Sequence, residues 1–300
     1  MPSLPPHEPV ILVDPHPRRI GRIFDEPTKL RLEKIARVIW HDGAPAAAEH
    51  IDRYLPQTVA LIGQSPLDKA RLDRAPHLRA VFNVESNFLL NIDYAECQRR
   101  SIPVLSTAPV YARPVAELAL LRPFSQEILI HDPWVDPAVL RAADAIPASL
   151  DECFARARVV FILAANTSEN TGRIGARQFA TMQPGSVVVL GSRAALVNFP
   201  DLLAAARSGQ IRAGIDVWPE EPIPADEPGR TTPNTLLAAH RLGSVPEIQT
   251  LIGQFVADDL EAILAGRAPQ RCQQANVATV HKLRSIPVGA WSLGGSPREP

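Results

Sequence analysis

"SVVVLGSRAALVNFPDLLAAARSGQIRAGIDVW", residues 186–218, is the stretch on which the fold prediction rests. It begins with the apolar run SVVVLG, continues with the amphipathic segment FPDLLAAARSG, and ends with a second apolar run, RAGIDVW. Short runs of Val, Ile and Leu that alternate with amphipathic helices are typical of parallel strands covered on both faces. The stretch therefore predicts a strand–helix–strand unit of an α/β protein.

The same alternation extends over most of the chain. The other candidate strands are VILVD, TVALIG, RAVFNV, IPVLST, EILIHD, RVVFILAA and NTLLAAH. Amphipathic patterns predict helices over TKLRLEKIARVIW (28–40) and VPEIQTLIGQFVADDLEAILAG (245–266). After residue 266 the periodicity is lost and Pro, Gly and Gln accumulate, so residues 267–300 are predicted to be a mostly disordered tail. A break near Thr107–Pro114 predicts two α/β lobes.

Composition narrows the functional classes. The chain has 300 residues, of which 46% are hydrophobic and 21% charged, and a net charge of −1. This balance gives no sign of a nucleic-acid partner, and no apolar stretch approaches membrane-spanning length. Three widely separated cysteines, Cys97, Cys153 and Cys272, argue against a disulfide framework or a metal site. We expect a cytoplasmic protein without a metal.

Three candidate chemical groups follow successive predicted strands. Arg193 follows SVVVLG, Glu220 and Glu221 follow RAGIDVW, and His240 ends NTLLAAH. The carboxyl ends of parallel strands face the ligand crevice in open α/β sheets. Each residue alone is more often structural than catalytic: a solvated charge, a turn, a histidine in a hydrogen-bonded loop. On three successive strand ends they favour a functional interpretation.

The three residue types suit one kind of reaction. Arginine grips a carboxylate with two parallel hydrogen bonds, and histidine can take or give a proton near neutral pH. A carboxylate paired with the histidine fixes its tautomer and favours its charged form. This set fits the oxidation of a 2-hydroxy acid, or the reduction of a 2-oxo acid, by hydride transfer to or from a nicotinamide.

A family resemblance supports this interpretation. The segment from LGSRAALVNFPDLL through DVWPEEPIP to NTLLAAHRLGSVPE is similar to the signature of the D-isomer-specific 2-hydroxyacid dehydrogenases, which include formate, glycerate and phosphoglycerate dehydrogenases. NVESNFLLNIDYAECQRRSIPVLSTAPVYARPVAELAL resembles their substrate loop and interdomain entry. NTSENTGRIG resembles the turn after their fourth cofactor-domain strand. The resemblance extends from about Val10 to Gly266.

The resemblance implies roles for individual residues. Arg193 would bind the substrate carboxylate, His240 would be the general acid/base, and Glu221, rather than Glu220, would be its partner. The loop Glu85–Phe88 would offer backbone amides to the carboxylate. The residues implied in substrate binding are Glu85, Ser86, Asn87 and Arg193. The residues implied in NAD binding are Asp132 at the adenosine ribose, Asp216 at the nicotinamide carboxamide, and Thr167, Gly191, Ser192 and Gly243.

The resemblance also implies a domain organisation. A discontinuous substrate domain would comprise residues 1–110 and 245–266, and a Rossmann-like cofactor domain would comprise residues 111–244. Pro133 after Asp132, where an arginine would accommodate a 2′-phosphate, favours NAD over NADP. Family members form homodimers, but their dimer contacts lie largely in a helix and arm that are missing here. The sequence therefore does not fix the oligomeric state of this chain.

One part of the family pattern is missing. No glycine occurs between Gly63 and Gly172, and no G-x-G-x-x-G occurs anywhere. VAELAL passes directly into LRPFSQEILIHD, so the first strand of the cofactor domain, its glycine loop and the following helix are absent from the sequence. The glycines let the backbone approach the pyrophosphate, and the helix N-terminus binds it. The cofactor domain is therefore predicted to be truncated, with NAD binding weak or lost.

Two functional hypotheses follow. The chain is either an NAD-dependent 2-hydroxyacid dehydrogenase by descent with impaired activity, or a non-enzymatic deletion derivative that binds a carboxylate ligand or a protein partner. A deletion variant or a mispredicted gene product is at least as good an explanation as a functional redesign. The sequence does not specify which 2-hydroxy acid is the substrate.

Overall fold

The computed structural model describes residues 8–85, 87–111, 127–241 and 246–284. Contacts divide the chain into two compact units. Unit 1 comprises Met1–Arg113 and Ser244–Pro300, and unit 2 comprises Pro114–Gly243. Both units contain parallel sheets with helices, which confirms the predicted α/β class.

Twelve strands are formed by the described residues. They are β1 (Val10–Asp14), β2 (Arg37–Trp40), β3 (Thr58–Gly63), β4 (Ala80–Asn83), β5 (Val104–Ser106), β6 (Leu129–Ile130), β7 (Ile146–Pro147), β8 (Val159–Ile162), β9 (Ser186–Leu190), β10 (Ile211–Ile215), β11 (Thr235–Leu237) and β12 (Gln273–Gln274).

Eleven α-helices are formed by the described residues, and all but the last lie between strands along the chain. They are α1 (Ile20–Ile23), α2 (Glu26–Ile35), α3 (Ala48–Tyr54), α4 (Lys69–Asp73), α5 (Tyr94–Arg99), α6 (Pro137–Ala142), α7 (Leu150–Arg156), α8 (Ala176–Thr181), α9 (Phe199–Arg207), α10 (Pro246–Leu264) and α11 (Val277–Val280). Within the part of the chain that the structure describes, no helix is both long and apolar enough to cross a membrane.

Unit 1 contains a six-stranded sheet in the order β12-β5-β4-β3-β1-β2. The neighbouring strands β2, β1, β3, β4 and β5 all pair in parallel. Strand β12 pairs antiparallel with β5. Every residue of β1, β3, β4 and β5 is buried. One face packs on α10, through Ile252, Val256 and Leu260, and the other packs on a second apolar cluster that includes Leu61. The apolar runs are thus covered on both faces.

The segment 28–40 does not form one helix, so that prediction was wrong. Helix α2 begins after Asp25, whose side chain caps the amide of Thr28, and it ends at Ile35. Residues 37–40 instead form β2, which pairs with β1. The β-branched Val38 and Ile39 suit a strand, and pairing with a buried neighbour outweighs the helical periodicity that continues into this segment.

The predicted disordered tail is partly ordered, which corrects the prediction for residues 267–284. The buried carboxylate of Asp259 accepts backbone hydrogen bonds from Gln270, Arg271 and Cys272 at 2.7–3.2 Å. The chain then adds β12 to the sheet and α11 to the core, where Val280 is buried. A single buried acid on the preceding helix thus fixes a segment that lacks periodicity. Residues 285–300 lie outside the described residues.

Unit 2 contains two separate sheets. Strands β11, β10, β9 and β8 form a four-stranded parallel sheet in that order, and β6 pairs in parallel with β7 in a sheet of two strands. Only Leu129 and Ile130 of the predicted strand EILIHD are in strand conformation, and both are half-buried, so the expected buried strand is wrong. The core of the unit lies around β9, β10 and α9.

Candidate active site

His240 lies just beyond β11, in a turn that is held by Asp216. Its φ angle is 53°, in the left-handed region that non-glycine residues rarely adopt. Its amide donates to the backbone oxygen of Asp216 at 2.7 Å, and the amide of Arg241 donates to Oδ1 of the same residue at 2.8 Å. Asp216 is 3% exposed and follows β10 directly. A buried acid therefore fixes an otherwise unfavourable backbone conformation at His240.

Glu221 and His240 are hydrogen-bonded. Nδ1 of His240 lies 2.8 Å from Oε2 of Glu221, and Oε1 of Glu221 accepts the backbone amide of Trp218 at 3.1 Å. Burial acts to raise the pKa of Glu221, but the hydrogen bond and charge of His240, the Trp218 amide and the charge of Arg193 together lower it. Glu221 is therefore ionised at neutral pH, and a carboxylate can only accept. His240 donates from Nδ1, which leaves Nε2 for proton exchange with a ligand.

Glu220, the alternative partner, is exposed, whereas Glu221 is half-buried. The ring of His240 is accessible, with 39% of its side chain exposed. The pair thus combines a partly sheltered carboxylate with a histidine that a ligand can reach. Such a pair can bind and move one proton.

Arg193 follows β9 and is half-buried. Its guanidinium donates from Nη1 to the backbone oxygen of Ser192 at 2.7 Å. Its positive charge contributes to the lowered pKa of Glu221, so the two groups lie close enough to interact electrostatically. Arg193, Glu221 and His240 therefore all follow carboxyl ends of strands in the unit 2 sheet. Their charges interact there.

The residues implied in cofactor binding lie after β6, β8, β9 and β10. Ser192 Oγ and the amide of Gly191 both donate to the backbone oxygen of Ile162, at 3.1 and 3.2 Å. Thr167 is buried, and its amide donates to Oδ1 of Asn170 at 2.7 Å. Gly243 lies outside the described residues. Strand ends β8 and β9 are thus held together at the edge where a ligand would bind.

Asp132 is exposed beyond β6, and its Oδ1 accepts the amide of Trp134 at 2.9 Å. It lines a pocket of about 350 Å³ with Ile130, Pro133, Pro147 and other residues of the β6 and β7 ends. The carboxylate retains acceptor capacity for a hydroxyl donor.

The predicted substrate loop belongs to unit 1. The carboxylate of Glu85 is 5% exposed and pairs with Arg18 at 3.0 Å, and Arg18 also donates to the backbone oxygen of Val84 at 2.8 Å. An ion pair therefore holds this loop. The backbone amide of Glu85 donates to Oδ1 of Asn83 at 2.9 Å, and its carbonyl oxygen accepts from Oγ of Ser106 at 3.2 Å. Oδ1 of Asn87 is buried and has no hydrogen-bond partner among the described residues. Ser86 lies outside the described residues.

Two residues that contact the candidate groups were not predicted from the sequence. Arg18, beyond the carboxyl end of β1, holds the Glu85 loop at the same edge of the sheet. Trp218 donates from its indole to the backbone oxygen of Ala238 at 2.8 Å. Both act through contacts distant in sequence, for which no local pattern exists; only the position of Trp218 beside Glu221 gave a signal. Across residues 8–85, 87–111, 127–241 and 246–284, no group of three His, Cys, Asp or Glu side chains is placed to hold a metal ion.

Comparison with known families identifies a cofactor-binding domain. Residues 111–241 match the NAD binding domain of the D-isomer specific 2-hydroxyacid dehydrogenases. The chain is similar to D-3-phosphoglycerate dehydrogenase of Mycobacterium leprae, with 32% identity over 149 residues, which cover 49% of this chain and 28% of the relative. It is also similar to glyoxylate/hydroxypyruvate reductase B of Citrobacter koseri, with 31% identity over 130 residues, covering 43% of this chain and 40% of the relative. The chain thus spans less than half the length of these curated relatives.

Solved structures extend the similarity to most of the chain. A phosphoglycerate oxidoreductase from Rhizobium etli matches with a TM-score of 0.78 and 29% identity, over 89% of this chain and 98% of that one. A glyoxylate/hydroxypyruvate reductase from Sinorhizobium meliloti, solved with NADP and malonate, matches with a TM-score of 0.64 and 16% identity over 93% of this chain and 99% of that one. At that identity the second match shows the fold alone.

Proposed function

Because residues 111–241 match the NAD binding domain of the D-isomer specific 2-hydroxyacid dehydrogenases, we propose that the chain belongs to this family and descends from an NAD-dependent oxidoreductase that acts on the CH–OH group of a 2-hydroxy acid or reduces a 2-oxo acid. The observation that carries this proposal is the 2.8 Å hydrogen bond between His240 and an ionised Glu221. We also propose that the activity is impaired, for a reason that lies in the cofactor site.

The proposed roles follow from the chemistry of the side chains. Arg193 binds the substrate carboxylate by charge-assisted hydrogen bonds. Nε2 of His240 accepts the proton of the 2-hydroxyl group on oxidation, and returns it to the oxygen on reduction of the 2-oxo acid. Glu221 stabilises the imidazolium that forms and keeps Nε2 available. NAD, when bound, accepts or supplies the hydride.

The residues present fit part of NAD. Asp132 would hold the adenosine ribose, Asp216 the carboxamide, and Gly191 and Ser192 lie on the intervening strand end. No glycine loop is available for the pyrophosphate, because the sequence has no glycine between Gly63 and Gly172. Each charge-assisted hydrogen bond contributes about 1.5–3 kcal/mol. The loss of two weakens binding by about two to four orders of magnitude.

We propose that the domain lacks a whole strand–loop–helix unit, at least ~30 residues by the size of such elements. The separation of β6 and β7 from the four-stranded sheet supports this proposal. In the family the missing strand lies at the centre of the cofactor sheet, between the counterparts of β6 and β8. Its loss accounts for two sheets where a single one is expected.

Titration of NADH against the purified protein, by calorimetry or nicotinamide fluorescence, tests the proposal. We expect a millimolar or weaker dissociation constant, further weakened by Asp132→Ala and unchanged by Asp226→Ala at an exposed loop position. A micromolar dissociation constant for NADH would contradict the proposed impairment and would favour a fully active dehydrogenase. Turnover of a panel of 2-hydroxy and 2-oxo acids at saturating NAD then tests the reaction itself.

The split sheet also favours a second candidate function. A chain that retains Arg193, Glu221 and His240 but cannot bind NAD could act as a carboxylate-binding or partner-binding protein. This alternative would be favoured if the protein binds a small 2-oxo acid but shows no NAD-dependent turnover of it. In either case we propose a small-acid ligand and a cytoplasmic location, with no nucleic-acid partner.

A further inference from the structure

Trp218 is bonded to both sides of the Glu221–His240 pair. Its backbone amide donates to Oε1 of Glu221 at 3.1 Å. Its indole Nε1 donates to the backbone oxygen of Ala238 at 2.8 Å, two residues before His240. One residue therefore links the turn that carries the carboxylate to the segment that carries the imidazole.

The indole is held in a single place by its surroundings. Trp218 is 5% exposed, and the centroid of its ring lies 5.7 Å from that of Phe199. On another side it contacts Gly229, where a Cβ atom would lie 2.6 Å from Cζ3 of the indole. A side chain at Gly229 would thus displace the ring. The indole N–H is aimed at Ala238 by packing as well as by hydrogen bonding.

The indole nitrogen can only donate, and a buried donor without a partner is unfavourable. The bond to Ala238 therefore resists movement of residues 238–240 away from the Glu221 turn. His240 is in a left-handed backbone conformation that the surrounding structure must maintain. Asp216 fixes this turn at the amides of His240 and Arg241, and the indole fixes it two residues earlier.

We propose that Trp218 is a positioning residue that sets the geometry of the Glu221–His240 hydrogen bond. The inference rests on the proposed function for its catalytic meaning, but the contact it describes exists without cofactor or substrate. An aromatic ring alone would fill the same space. The indole N–H supplies the directional bond that a phenyl ring lacks.

The test is proton NMR of the full-length protein, without cofactor, at the downfield resonance of the His240 Nδ1–H. The resonance is assigned by its absence in His240→Gln. In Trp218→Phe we expect solvent exchange of this proton to be about threefold to tenfold faster, the factor that corresponds to one lost hydrogen bond. Phe199→Leu is the matched control, because it disturbs packing on the indole but removes no hydrogen bond.

A Phe199→Leu effect as large as that of Trp218→Phe overturns the proposal in favour of simple packing, as does an unchanged exchange rate in Trp218→Phe. A second measurement uses the unsubstituted protein and needs no variant to fold. The Trp218 indole N–H and the His240 Nδ1–H should exchange at matching protection factors, with the indole of the exposed Trp134 much faster. Protection of His240 without protection of Trp218 would also overturn it. Failure of NADH to bind leaves these readouts unaffected, so the two proposals fail separately.

Discussion

The two units use the same kind of strand but build different sheets. In unit 1, every residue of β1, β3 and β4 is buried within one six-stranded sheet. In unit 2, β6 is half-buried in a two-stranded sheet, and β8 at the edge of the four-stranded sheet exposes Val159 by 41%. The sequences of these strands are comparably apolar. The difference shows that an apolar run becomes a buried strand only when it has neighbours on both sides.

The difference between the two sheets affects the stability of the units. A parallel sheet gains stability from the burial of both faces, and its edges are liabilities because they expose backbone groups and apolar side chains. Unit 1 completes its sheet at one edge with β12, a strand that comes from the chain's C-terminal segment. Unit 2 has edges in two sheets, β8 in one and the β6–β7 pair in the other. We therefore expect unit 1 to be the more stable of the two.

The largest expected effect comes from truncating one leucine in each unit. Leu61 in β3 is 1% exposed, and Leu163 directly after β8 is 40% exposed. Leu61→Ala should lower the free energy of unfolding of unit 1 by about 3–5 kcal/mol, because it removes apolar contacts and leaves a cavity. Leu163→Ala should change that of unit 2 by less than about 1 kcal/mol. Urea titration followed by hydrogen exchange of peptides from each unit measures both.

Equal losses of unfolding free energy in the two leucine variants would contradict this contrast. They would mean that Leu163 is buried to the same extent as Leu61. The amide exchange of β6 and β7 in the unsubstituted protein gives an independent measure. These amides should exchange at lower denaturant concentration than those of β3 and β4.

A second contrast uses two glycines. A Cβ at Gly253 of α10 would lie 2.2 Å from the backbone oxygen of Ile23, whereas a Cβ at Gly214 of β10 meets nothing closer than 3.8 Å. Gly253→Ala gains about 1 kcal/mol of helix propensity but forces α10 away from α1, and we expect a net destabilisation of about 2–3 kcal/mol. Gly214→Ala should lie within about 1 kcal/mol of zero. Thermal unfolding of both variants measures the difference.

If Gly253→Ala were as stable as the parent, α10 would not approach α1 as closely as the structure places it. The tight packing of unit 1 would then be overstated, and the contrast with the more open unit 2 would narrow accordingly.

Much of the fold follows from the sequence because apolar runs and amphipathic segments alternate. Strands β1, β3, β4 and β5 of unit 1 and the series from β8 to β11 in unit 2 are predicted correctly in this way. Strand β2 is not, because helical periodicity runs on from α2 into Arg37–Trp40, and only pairing with β1 decides its conformation. The strand in EILIHD is overestimated for the opposite reason: its pattern is that of a buried strand, but its sheet has one other strand.

The candidate site shows the same limit. Arg193, Glu221 and His240 could be proposed from sequence because each follows a parallel strand, and such ends lie on one side of a sheet. Trp218 and Arg18 could not be assigned, since their partners, Ala238 and Glu85, lie 20 and 67 residues away along the chain. Patterns of neighbouring residues reveal the strand ends, but the contacts that orient side chains there depend on the tertiary fold.

A third prediction concerns the edge that unit 1 completes and unit 2 does not. Asp259→Asn removes the charge that holds the amides of Gln270, Arg271 and Cys272. One acceptor oxygen remains, so we expect a loss of about 1–2 kcal/mol in the docking of residues 270–284. Limited trypsin digestion should then cleave after Arg271 sooner than in the parent. Asp258→Asn, which removes partly exposed ion pairs to Arg31 and Arg271, is the matched control and should change the cleavage rate little.

The smallest effect is a difference in acid sensitivity between the units. In unit 2, burial raises the pKa of Glu221, but the bonds and charges of His240, Trp218 and Arg193 outweigh burial and hold it below its usual 4.5. In unit 1, hydrogen bonds from Arg99 and Arg100 lower the pKa of Glu96 to about 2. A carboxyl group with a depressed folded-state pKa stabilises the fold above its unfolded-state pKa. This contribution is lost as pH falls through the folded-state value.

Replacing either glutamate by glutamine should therefore make the stability of its own unit less dependent on pH in the acid range, the acid limb of the curve. Glu221→Gln should reduce the loss of unit 2 stability as pH falls below about 4.5, the unfolded-state value for glutamate. Glu96→Gln should do the same for unit 1, over a range that extends down to about pH 2. Glu220→Gln, one residue from Glu221 but exposed, is the control and should leave both limbs unchanged. Hydrogen exchange of each unit against pH records the limbs separately. Parallel curves for Glu221→Gln and Glu220→Gln would mean that the Glu221–His240 bond adds no stability to unit 2, which would leave the pair with a purely chemical role.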